Sequence, residues 1–180
     1  MALLRIAEIG HPILRQVAHP LTADELREPR WQRFIDDLVE TMHDADGAGL
    51  AAIQVYEPVR ICAIEIKPNN PRYPEKVPIP LTILVNPVIT PLSDRTFASY
   101  EGCLSVPNLR GIVNRHADIR VDFLDREGAP HSRTVSGIEA VTYQHECDHL
   151  DGKLFLDRVT DTTTLTTWTN FARHHRVAPA

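Results

Sequence analysis

An α+β fold, with strands gathered around one helix that carries a pair of histidines, is the architecture this sequence predicts. Three observations point to it. Gln144-His145-Glu146-Cys147-Asp148-His149 stands between helix-end signals, and a second, amphipathic pattern follows Pro29 near the N-terminus. Short runs rich in β-branched and aliphatic residues, Val59–Ile66, Leu81–Val85 and Ile119–Leu124, read as strands.

The N-terminal pattern comes first along the chain. Trp31, Phe34, Ile35, Leu38 and Met42 keep helical spacing, and proline is well tolerated in a first helical turn. This predicts a long helix that covers the core and ends before Gly47. The two strands that follow are separated and trailed by Pro68, Pro71, Pro74, Pro78, Pro80, Pro87 and Pro91. Prolines at that density exclude regular helix and predict a stiff loop or arm. Ile119, Val121 and Phe123 alternate with Arg120, Asp122 and Leu124, so one face of that strand is expected to be buried. Arg126-Glu127-Gly128 then turns the chain into a short partner ending before Ser136.

The second helix begins at a predicted capping box, with Ser136 as N-cap and Glu139 reaching back from the third helical position. Gly152, just past its end, suits a left-handed C′ residue. Ile138, Val141, Thr142, His145 and His149 share one face, so the histidines continue a mostly apolar stripe fit to wall an apolar side chain. Residues four apart on a helix lie one above the other. Both imidazoles therefore reach one metal ion, and Glu146, about 100° round the axis, reaches a water beside it.

Two histidines leave a hydrolytic site short of its usual third protein ligand. Downstream the sequence offers Asp151, Asp157, Asp161, His174 and His175. Upstream it offers Cys103, in Glu101-Gly102-Cys103-Leu104-Ser105, where a glycine allows close approach. A lone cysteine is more commonly just buried. A third segment, Gly47-Ala48-Gly49-Leu50-Ala51-Ala52-Ile53-Gln54, describes a backbone kept free of side chains, with an uncharged N–H donor at its end. Read alone, it is equally a glycine turn entering a buried strand.

Together GAGLAAIQ at 47–54, EGCLS at 101–105 and QHECDH at 144–149 resemble the three ordered motifs of the peptide deformylase family, and every fixed position matches. The likeness runs from the N-terminal segment to about Asp157. It implies antiparallel or mixed β-sheets around the metal-binding helix, with Cys103, His145 and His149 as ligands. It implies Glu146 as general base and acid, and Gln54 with the Leu104 amide as oxyanion donors. The main chain at Ala48, Gly49 and Gly102 is expected to pair with substrate, Arg110 to lie near the mouth of the side-chain pocket, and Ile138, Val141 and Thr142 to form its wall. Ala48 stands where family members often carry a branched aliphatic residue, and its smaller side chain is expected to widen the entrance. The implied reaction is hydrolysis of the N-formyl group from the initiator methionine of nascent polypeptides, releasing formate. One divalent ion is implied, Fe2+ natively, with Zn2+, Ni2+ or Co2+ as replacements.

The alternative is an HExxH metallopeptidase with a downstream third ligand. Composition fits either enzyme. Hydrophobic residues make up 43% of 180 and charged ones 24%, which accords with one catalytic domain spanning 1–180. A net charge of −5 predicts no broad nucleic-acid surface, and no apolar run is long enough to span a membrane. Met1-Ala2-Leu3-Leu4 begins no signal or transit peptide, and three cysteines fit a reducing compartment, so a cytoplasmic, bacterial-type protein is expected. Cys147, off the ligand face, is expected only to pack. Some deformylases end in a long helix associated with ribosome docking. Here Thr160, Thr162, Thr163, Thr164, Thr166, Thr167 and Thr169 argue against such a helix and leave at most a transient ribosome contact. Arg173-His174-His175-Arg176 reads as the end of a solvated tail.

Overall fold

The computed structural model describes residues 2–68, 70 and 77–175. Helix α1 (Ala23–Leu26) is a single capped turn, and α2 (Pro29–Asp44) is the expected amphipathic helix. Seven strands follow, β1 (Gly49–Ala51), β2 (Ile61–Ile66), β3 (Ile79–Pro91), β4 (Thr96–Cys103), β5 (Val106–His116), β6 (Asp118–Leu124) and β7 (Pro130–Ser136). They precede α3 (Gly137–Leu150) and a short α4 (Trp168–His174). Five strands form one antiparallel sheet in the order β1-β2-β3-β6-β7, while β4 and β5 make a separate hairpin. The α+β reading therefore holds, with every strand pairing antiparallel.

β2 explains how the layers stack. Its residues alternate between two cores, because successive side chains of a strand point to opposite faces. Cys62, Ile64 and Ile66 face a cluster that includes Ala140, Tyr143 and Leu150 of α3. Ile61 and Ala63 face Trp31, Ile35, Leu38 and Met42 of α2. A strand covered on both faces reads as a continuous apolar run rather than an alternating one, which is the pattern seen at 61–64. Leu38 and Met42 are fully buried, and truncating either to alanine is expected to cost about 2–5 kcal/mol.

The proline-dense region is only partly an arm. Pro71 and Pro74 lie outside the described residues, but Pro80, Pro87 and Pro91 belong to β3, which runs well past the expected Val85. The reason is a bulge. Pairing with β6 slips between Val85 and Val88, and Asn86 adopts φ 51, so Pro87 sits where the ladder asks no N–H of it.

The C-terminal segment also departs from expectation. Arg173, His174 and His175 are exposed, as expected of a solvated end, but the threonine-rich part before them packs against the hairpin. Thr166 pairs with Arg110 on the outer edge of β5, and Thr167 caps α4 by accepting from the Asn170 amide. Threonine, poor inside a helix, is well suited to caps and edge pairing. Arg176 lies outside the described residues.

Candidate active site

α3 starts at Ser136 and stops at Leu150, but the expected capping box is absent. The Ser136 hydroxyl donates instead to Asp118 across the β6–β7 pair at 2.9 Å, and Glu139 faces Arg133. The other end is as expected. Gly152 at φ 70 closes a Schellman motif, with Lys153 N–H on Asp148 O and Gly152 N–H on His149 O. A Cβ at 152 would stand 2.8 Å from Arg15 O, which explains the glycine a second time. Every residue from Ala140 to Leu150 is buried, so α3 runs through the interior rather than along it.

From this helix His145 and His149 approach Cys103, which ends β4. The register of the hairpin slips there, with Gly102 opposite Arg110 but Cys103 opposite Val106, and such a slip re-aims a side chain. The sulfur and one nitrogen of each imidazole lie within 4.8 Å of one another, and Cys103 Sγ is 3.3 Å from His149 Nε2. Among the described residues this is the one such group of three, so no downstream Asp or His joins it, contrary to the peptidase alternative.

The electrostatics suit metal binding. Burial alone would raise the Cys103 thiol, but the His149 charge and hydrogen bonds from both imidazoles outweigh it and hold the thiol well below its ordinary range. His145 Nδ1 is 2.7 Å from Glu101 Oε2. Glu101 is buried, yet hydrogen bonds and charge from His145 and Arg115 keep its carboxyl at about 2. An ionised carboxylate only accepts, so the proton belongs on Nδ1, and Nε2 keeps its lone pair for a metal. The donor set of one thiolate and two imidazoles suits Zn2+, Fe2+, Ni2+ or Co2+.

Glu146 lies beside this group. Burial pushes its carboxyl up to about 7, offset only in part by the charges of His145 and His149. Its Oε2 is buried with no protein hydrogen-bond partner, as expected of a group that faces water or substrate. The carboxylate rests against Gly49, where a Cβ would stand 2.7 Å from Glu146 Cγ and closer still to the carboxylate. Gln54 is oriented without ambiguity. Its Oε1 accepts from Ala51 N–H at 2.8 Å, and its Nε2 donates to Ser105 Oγ at 3.0 Å while lying 3.5 Å from Cys103 Sγ.

These groups line a small cleft of about 40 Å³. Gln54, Cys103, Leu104, His145 and Glu146 lie on it, as do Ala48, Gly49, Gly102, Val141 and Thr142. Two of the sequence candidates do not. Ile138 lies outside the lining, and its carbonyl accepts from Thr142 Oγ1. Arg110 is 1% exposed, with its guanidinium 3.6 Å from the Trp168 ring centre. Sequence reasoning missed the supports behind the ligands. Glu101 and Asp148 stand inside the quoted motifs, but Arg115, which bridges them through Glu101 at 2.8 Å and through Asp148 Oδ2, is far from both in sequence. Tyr100, on the cleft rim, was also missed.

Residues 3–164 match the polypeptide deformylase family. The chain belongs to that family. It is 41% identical over 162 residues to the peptide deformylase of Leptospira biflexa serovar Patoc, covering 90% of each chain. Peptide deformylase 1 of Bordetella pertussis is 43% identical over 88% of each. Among solved structures, a class I type b peptide deformylase from Acinetobacter baumannii with Met-Ala-Ser bound has a TM-score of 0.84 at 37% identity. That match covers 88% of this chain and 99% of the other. As a deformylase, the chain is a metal-dependent hydrolase that removes the formyl group from N-formylmethionyl peptides.

Proposed function

We propose that Cys103, His145 and His149 hold the catalytic ion and that Glu146, Gln54 and the Leu104 amide carry the chemistry on the formyl group. The observation that supports this most strongly is the convergence of a low-pKa thiol and two imidazoles within 4.8 Å in a cleft whose rim is two outermost strands, β1 and β4. The native ion is proposed as Fe2+, on the strength of the donor set and the family. A divalent ion there acidifies water and polarises a carbonyl.

The chain's own residues do the rest. β4 runs toward Cys103, so a peptide whose formyl end lies at Cys103 and whose body leaves the cleft runs antiparallel to β4. Such a peptide would extend β4 as an added strand, with Gly102 and Ala48–Gly49 supplying main-chain hydrogen bonds. Val141 and Thr142 would wall the methionine side chain, whose unbranched thioether fits an apolar slot with little strain. Glu146, poised near neutrality, would accept the proton of the attacking water and deliver it to the departing amine. Gln54 Nε2–H and the Leu104 N–H would donate to the formyl oxygen as negative charge gathers there. Losing one such donor typically costs about 10²–10³ in rate. Formate and a free N-terminus leave. Action on newly made chains, together with three buried, unpaired thiols, supports a cytoplasmic place of work and a transient ribosome contact.

Formate release from formyl-Met-Ala-Ser, with metal content measured in parallel, tests this. The wild type loaded with Fe2+ or Ni2+ is expected to turn over, and Glu146→Ala to keep its metal while losing activity. Cys103→Ala is expected to lose the metal. Loaded wild type that holds metal and releases no formate would sink the assignment.

A further inference from the structure

Outside the cleft lining, the residues before the first helix tie together the two segments that carry the proposed oxyanion donors. Ala7 N–H donates to Gln54 O and Ile9 N–H to Ser105 O, both at 2.7 Å. Residues two apart in an extended chain point the same way, so one short segment can reach both carbonyls. Gln54 lies in the 3₁₀ turn Ala52–Val55, where a late carbonyl must find its donor outside the turn. Ser105 is fully buried and held at three points. Its N–H donates to Cys103 Sγ at 3.4 Å, its hydroxyl accepts from Gln54 Nε2 at 3.0 Å, and its carbonyl accepts from Ile9. The Leu104 amide stands between Cys103 and Ser105 in the chain, so it is fixed from both sides. The Ala7 methyl group completes the joint, buried in one cluster with Ile53, Cys103 and Val106.

We propose that Ala7–Ile9 is a strut that sets the separation of the two oxyanion donors, with Ile9 and Ser105 as positioning residues acting through Gln54 and the Leu104 amide. The inference rests on the reading that these two donors meet the formyl oxygen. Donors carried on separate segments converge on one atom only if the segments cannot slide past each other. Preorganised donors work because they need no rearrangement as charge develops. A misplacement of about 1 Å, even from a change far from the chemistry, can cost about 10²-fold in rate. Neither Ala7 nor Ile9 lines the cleft, so a change in their main chain reaches the substrate through the donors they hold.

The turn that contains Ile9 makes the strut testable. His11 N–H donates to Glu8 O at 3.0 Å and Gly10 takes φ 99, the form of a type II turn, whose second position suits proline. Ile9 holds that position and is 48% exposed. Ile9→Pro therefore keeps the turn while removing the N–H. On formyl-Met-Ala-Ser its kcat is expected to fall about ten- to a hundredfold, with KM and metal content near wild type. Ile9→Ala, which keeps the N–H, should turn over like wild type. In a Gln54→Ala background Ile9→Pro should cost much less, because one of the donors it places is already gone, whereas a general structural defect would multiply in full. If Ile9→Pro does not fold, Ser105→Ala must lower kcat with metal retained and show the same shortfall with Gln54→Ala. Wild-type kcat in Ile9→Pro, an equal loss in Ile9→Ala, lost metal or full multiplication with Gln54→Ala overturns the proposal. Undiminished kcat in Gln54→Ala alone would overturn the oxyanion reading instead, which keeps the two failures apart.

Discussion

Glu101 accepts a hydrogen bond from His145 Nδ1–H at 2.7 Å and is itself clamped by Arg115 at 2.8 and 3.0 Å. One carboxylate thus fixes the tautomer of a proposed metal ligand while a guanidinium fixes the carboxylate. Arg115 also reaches Asp148, on the same helix as the histidines, and Arg158 holds Asp148 from the far side at 2.7 Å. The two Arg115 pairs are buried, so each partner in them depends on the other for its charge.

Replacing Glu101 with alanine removes the acceptor that orients His145. Metal affinity is expected to fall about 10–100-fold, read by competition with a chelator. Unchanged affinity would show that the tautomer is set elsewhere.

Arg115→Ala removes a shared guanidinium from two buried carboxylates, leaving Glu101 only His145 and Asp148 only Arg158. Breaking such a pair typically costs about 3–5 kcal/mol, measurable as a lower urea midpoint at constant slope. A loss below about 1 kcal/mol, the range of exposed pairs, would mean that water reaches the network.

The same network sets an acid limit. Burial would raise Glu101, but His145 and Arg115 hold it at about 2 instead of its ordinary 4.5, and Asp148 is likewise lowered. A carboxyl depressed in the folded state contributes stability that is complete above its unfolded pKa and disappears as pH falls through the folded one. Melting temperature of the metal-free protein is therefore expected to hold down to about pH 4.5 and fall steadily toward pH 2. In Arg115→Ala, whose carboxyls are less depressed, the decline between about pH 4.5 and 2 should be shallower from a lower starting stability, and parallel profiles for the two proteins would contradict the assignment.

Gly49→Ala places a methyl group against Glu146. Displacing the proposed general base is expected to lower kcat by about 10²–10⁴ while metal content stays near wild type. Retention of full kcat would show that the carboxylate moves aside freely, or does not act as the base.

Legibility in the sequence followed the range of the interactions. α2 and the end of α3 were readable because spacing, Pro29 and Gly152 act within a turn or two. The start of α3 was placed correctly, but not its bonding: Ser136 turns to Asp118, a partner that exists only once β6 and β7 pair. Leu81–Val85 is only part of β3, because Pro87 falls in the proline-dense stretch that reads as a loop, and only pairing with β6 reveals the bulge that admits it to the strand. Arg110 shows the same limit. Its motif position suggested the pocket mouth, whereas two aromatic rings from the C-terminal segment enclose it.

By itself the sequence determined the kind of chemistry, because two imidazoles four residues apart with a glutamate between them form a metal-hydrolase pattern, to which the family resemblance adds Cys103. It also determined the helices and most strands, because helical and strand periodicity are properties of neighbouring residues. The tertiary structure alone decided what surrounds those atoms: the Glu101–Arg115–Asp148 support, the contact of Gly49 with Glu146, and the closing of the hairpin's outer edge by Thr164–Phe171. Each of these joins segments far apart in the chain, and no local pattern encodes a contact that forms only when the β4–β5 hairpin, α3 and the C-terminal segment pack together.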